Sequence, residues 1–140
     1  MKSILKALFP KNYREFKYKR LFIVLLRTIH IICFSILVGG FFFHQDKAQL
    51  SPWFLGVMLS GMSLFLVDIY GSCIILFEVR GISILIKLLL LSLIPLLSSN
   101  NQIILLMLII VLSSYISHTT GKIRHRNVLS SKTLKKYGLD

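Results

Sequence analysis

Acidic residues are scarce: five Asp and Glu stand against seventeen Lys and Arg in 140 residues, for a formal net charge of +12. Within the apolar part only Asp68 and Glu78 are acidic, which leaves no paired carboxylates for hydrolysis by general acid and base. Cysteine is almost as rare. Cys33 and Cys73 form no CxxC and no disulfide framework, and both lie in or beside apolar runs, where buried, inert thiols are expected. Charge of either sign is low, at 16% against 55% hydrophobic residues. A soluble domain would carry nearer a quarter. A nucleophile elbow, a P-loop and an HExxH pair are all missing, so the sequence points away from an enzyme. The first apolar run is too long for the core of a signal peptide and ends in no A-x-A site, so the N-terminus is expected to be retained.

The apolar residues are gathered into runs. That pattern predicts an all-α integral membrane protein. Four runs, about 21–43, 53–76, 82–98 and 102–120, read as transmembrane helices, with basic segments at 1–20 and 121–140. Short connections make sequential helices antiparallel neighbours, which predicts an up-down four-helix bundle. Pro52 suits a first helical turn, Trp53 an interfacial anchor and Pro95 a kink near the end of the third helix. Gly39-Gly40 and the Gly56/Ser60 pair offer surfaces for close helix approach. Before them, MKSILKALF has the spacing of a short amphipathic helix lying on the membrane.

The position of the positive charge sets orientation. Seven of the seventeen basic residues precede Leu21 and six follow Thr120. By the positive-inside rule both termini are cytoplasmic, in an inner or plasma membrane. Lys17, Lys19 and Arg20 at one end, and Lys122, Arg124 and Arg126 at the other, are expected to face anionic headgroups, each contributing about 1 kcal/mol. The partner implied is the lipid bilayer, with other membrane subunits open; nucleic acid is not expected, because no binding motif accompanies the charge.

Polar residues inside the runs carry the functional question, because a charge at the centre of a membrane helix costs roughly 2.5 kcal/mol or more. Measured from the outer helix ends at 1.5 Å per residue, Arg27, Asp68 and His118 each lie about 22–24 Å deep, His30 about 20 Å and Lys87 about 16 Å. Arg27 and His30 share a face at i, i+3. Two constellations follow. One is an intramembrane ion pair of Asp68 with Arg27 or with Lys87. The other is a cofactor or metal site in which His30 and His118 supply imidazoles for haem b or copper. Arg27 would pair a haem propionate, and Cys33, Met62 or Met107 would add soft ligands for copper. A structural or assembly role with no cofactor, the polar residues forming only a packing network, stands beside this reading.

The segment RTIHIICFSILVGGFFF resembles the opening helix of copper-resistance D-type (CopD-like) membrane proteins, on His30 and Gly39-Gly40. RGISILIKLLLL adds to the resemblance in the third helix. The resemblance implies a role in copper handling. The chain is shorter than typical members.

Overall fold

The computed structural model describes residues 10 and 13–120, and every regular element among them is helical. Helix α1 spans Lys19–Phe42, α2 Lys47–Gly71, α3 Val79–Leu93 and α4 Ser99–His118. A 3₁₀ turn over Cys73–Phe77 precedes α3, and another over Ile94–Leu96 follows it. All four helices are long and apolar enough to cross a membrane, α3 when its extension to Leu96 is included. The segments Lys122, Arg124 and Arg126 belong to, and the amphipathic helix expected over MKSILKALF, lie outside the described residues.

Helix ends differ from the sequence reading for local reasons. The second helix starts at Lys47, not near Trp53, because Asp46 caps it: its carboxylate accepts from the Ala48 N–H at 3.3 Å. Pro52 therefore sits inside α2, where it leaves only the Ala48 carbonyl without its usual donor. Between α1 and α2 the chain turns through His44, whose φ of 53° is left-handed. The Gln45 N–H reaches the Gly40 carbonyl at 2.9 Å and the His44 N–H reaches Phe41 at 3.2 Å, a Schellman closure with histidine in the place glycine usually fills.

α2 ends at Gly71 because Ser72 turns extended and uses its hydroxyl to accept from the Ile74 N–H at 3.3 Å, starting the 3₁₀ turn. That turn lets α3 begin at Val79, so Arg80 lies in its first turn and not in a free connection. The fourth helix likewise starts earlier, at Ser99. Gln102 is buried there and donates from Nε2 to the Ile94 carbonyl at 2.9 Å, tying the start of α4 to the end of α3.

Helix α1 packs along α2, α2 against α3, α3 against α4, and α4 back against α1. Close approaches between α1 and α2 join Gly40 to Leu50, Cys33 to Gly56 and His30 to Ser60, so numbers fall on one helix as they rise on the other. At the opposite end the segment before α1 is pinned to the end of α2. The Arg14 N–H donates to the Gly71 carbonyl at 3.1 Å, and Lys19 Nζ donates to the Arg14 carbonyl at 3.0 Å.

The buried core is one cluster: Leu37 of α1, Leu50 and Val57 of α2, Leu91 and Ile94 from α3 and its extension, and Leu106 and Ile109 of α4. It occupies the end where α1 finishes and α2 starts. Phe65 and Ile75 are buried apart from it, while many large apolar side chains are exposed, Leu96, Tyr115, Leu59 and Val111 among the most. The two adjacent glycines of α1 separate packing from surface. A Cβ on Gly40 would overlap the Leu50 side chain in the core, whereas one on Gly39 meets nothing within 4 Å. We expect Gly40→Ala to lower the melting temperature in detergent, costing about 1 kcal/mol through repacking of Leu50. Gly39→Ala should be neutral or stabilising by up to about 1 kcal/mol.

Candidate functional site

Beyond the core, towards the end where α1 begins, the four helices leave a cavity of about 750 Å³ between them. Helix α1 presents Ile23, Arg27, His30 and Phe34 to it, a single stripe at helical spacing. Helix α2 contributes Asp68 and Gly61, α3 contributes Arg80, Ser83 and Lys87, and α4 contributes Ser113, Ser114 and Ser117.

His30 is a held polar group in the cavity wall. Its Nδ1 lies 2.9 Å from Ser60 Oγ, and the Ser60 hydroxyl lies 2.5 Å from the Gly56 carbonyl. Oγ thus stands between the Gly56 carbonyl and His30 Nδ1 and ties the ring of α1 to the backbone of α2. The ring is also fixed in plane. Phe34 stacks nearly parallel to it, with centroids 6.3 Å apart, and a Cβ on Gly61 would come within 3.2 Å of its Cε1.

The ion pair has a different basic partner from either one expected. Arg80 Nη2 donates to Asp68 Oδ2, and neither Arg27 nor Lys87 forms an ion pair among the described residues. The reason is the early start of α3, which carries Arg80 back over the last turns of α2. Ser83 Oγ donates to the Arg80 carbonyl at 2.7 Å within the same turn. Lys87 sits half-buried farther along α3, and Arg27 is exposed on α1; both line the cavity.

The two histidines are not brought together. His118 is exposed at the last residue of α4 and is absent from the cavity lining, so the layer inferred from helix depth holds Arg27 and Asp68 without it. The soft ligands are dispersed as well. Cys33 Sγ packs on Gly56, 2.7 Å from where a Cβ would stand, and Met62 and Met107 are exposed. No group of three or more His, Cys, Asp or Glu side chains that would hold a metal forms among the described residues. Of the basic residues assigned to headgroups, Lys17 and Arg20 are exposed, while the Lys19 amine is engaged by the Arg14 carbonyl.

Sequence reasoning missed Arg80, and also the serines of α4. Their signal is visible in retrospect: Ser113, Ser114 and Ser117 interrupt an otherwise apolar run at i, i+1 and i+4, which places two of them on one face. No protein-family model, curated protein or solved structure matches the chain.

Proposed function

We propose that the chain is a multi-pass protein of the inner or plasma membrane, an antiparallel up-down bundle with both termini cytoplasmic, which binds a ligand in the cavity around His30. The outward apolar surface supports the membrane setting, because helices apolar on every side are solvated by lipid or by protein. The basic residues before α1 and after α4 support the orientation. One observation carries the binding role: Ser60 holds the His30 ring by Nδ1 in the wall of a cavity that Arg27, Asp68, Arg80 and Lys87 also line. A ring oriented through a hydrogen bond to one nitrogen is the arrangement ligand-binding histidines use.

The donor set discriminates between the expected cofactors. Copper does not fit, since Cys33, Met62 and Met107 are not part of the cavity lining and a single imidazole is left there. The copper-handling role implied by the resemblance of helix one thus gains no ligand set from this cavity. Haem b fits in part. His30 would hold the iron, and Arg27 and Lys87 would pair the carboxylates of the haem. The second imidazole would have to come from another subunit, because His118 is elsewhere. Bound there, haem would supply electron transfer.

A structural or assembly role is the second reading, and the Asp68–Arg80 pair favours it, since a satisfied pair needs no ligand. Absorption spectra and metal analysis of the purified protein, with a His30→Ala variant, separate the two. For a binding role we expect a retained ligand that His30→Ala loses, with stability falling by only about 1 kcal/mol for the single hydrogen bond. A Soret band lost in that variant identifies haem. A ligand-free preparation with unchanged stability in the variant leaves the structural role. An externally accessible C-terminal tag would overturn the orientation.

A further inference from the structure

We propose that the cavity's ligand is an anionic amphiphile, an acyl chain ending in a carboxylate or a phosphate. This rests on the reading of the cavity as a ligand site. Its first support is composition. Arg27, Arg80 and Lys87 line the cavity against one carboxylate, Asp68, and that carboxylate is already paired with Arg80. Two basic groups, Arg27 and Lys87, are left over. Glu78, the other acid near the start of α3, is not part of the lining. A surplus of basic groups in a low-dielectric setting calls for an anion, and basic pockets between membrane helices on the cytoplasmic side suit anionic heads.

The second support is the gradient along the cavity. Arg27, Asp68, Arg80 and Ser117 mark the end where α1 begins and α4 finishes. His30 and Lys87 lie midway. Phe34, Val57, Leu91 and Ile109 form the deep end, three of them members of the apolar core. A free inorganic anion would satisfy the mouth and leave the apolar end empty. A neutral lipid would fill the apolar end and leave Arg27 and Lys87 without a counter-charge. An anionic head on a hydrocarbon chain meets both ends, with the head at the cytoplasmic side and the chain directed towards the bilayer midplane. The volume, about 750 Å³, lies in the range of small-ligand sites.

The test uses the full chain in neutral detergent and four probes: oleate, lysophosphatidate, oleyl alcohol and inorganic phosphate. Native mass spectrometry reads retention, and thermal shift reads affinity. We expect oleate or lysophosphatidate to bind and the other two not to. Arg27→Gln and Lys87→Gln should each weaken binding about tenfold through loss of a charge-assisted contact, and the double variant should abolish it while its melting temperature stays within reach of the wild type. Which of the two anions binds tighter identifies the head. Equal retention of oleyl alcohol, or undiminished binding by the double variant, would overturn the anionic amphiphile, as would phosphate binding as tightly as lysophosphatidate. A haem or neutral ligand lost in His30→Ala overturns the amphiphile and leaves the cavity as a site. Failure to retain any probe, with no ligand lost in His30→Ala, overturns both.

Discussion

Gly81→Ala should destabilise the protein by about 3 kcal/mol, at the upper end of what one added methyl costs in a packed interior. Gly81 lies in the first turn of α3, and a Cβ there would overlap the carbonyl group of Ile75. Side chains can swing aside, but this obstacle is backbone. The Ile75 carbonyl is itself held, because it accepts the Glu78 N–H at 3.2 Å as the 3₁₀ turn closes. Alanine's better helix propensity offers at most about 1 kcal/mol in return. The effect should extend to the cavity. Moving the turn moves the start of α3, and with it Arg80 from Asp68. We therefore expect Gly81→Ala to lower the melting temperature in detergent well below that of Gly39→Ala, and to weaken any ligand held by the cavity. A melting temperature equal to the wild type's would show that the turn does not press on α3.

This dependence explains what could and could not be read from residues alone. Four apolar runs separated by polar connections are visible because lipid-length helices must be apolar for most of their length. The shared face of Arg27 and His30 is visible too, since helical spacing dictates it whatever the partner helix is. Both depend on one segment at a time.

The partners were harder, because they depend on where helices start and how they rotate. Arg80 reads as part of a connection, since Glu78 and Arg80 stand together beside Gly81. Only the 3₁₀ turn over Cys73–Phe77 places it inside α3. A helix start that shifts by about one turn moves a side chain about 5 Å, enough to exchange one ion-pair partner for another. His118 fails for a related reason. Depth along an axis says nothing about rotation around it, and His118 is exposed while Ser113, Ser114 and Ser117 line the cavity. Ser60 was legible only as a small residue. Its hydroxyl matters because His30 happens to face it across α1 and α2.

Removing one member of the Asp68–Arg80 pair tests the corrected partnership directly. The two side chains are 23% and 31% exposed, so the pair is neither a surface pair nor a fully buried one. Exposed pairs are worth up to about 1 kcal/mol, whereas breaking a buried pair costs about 3–5 kcal/mol, and an intermediate figure near 2 kcal/mol is expected for Asp68→Asn. Most of that loss is the cost of leaving the Arg80 guanidinium without a counter-charge in a cavity that already holds Arg27 and Lys87. Adding Arg80→Gln removes the stranded charge, so the double variant should recover more than half of the lost stability. Adding Arg27→Gln to Asp68→Asn relieves general repulsion only and should recover much less. Thermal unfolding of the four proteins in one detergent reads this. Equal rescue by the two glutamines would mean that Asp68 answers the cavity's total charge instead of one guanidinium. Better rescue by Arg27→Gln would return the pairing to α1.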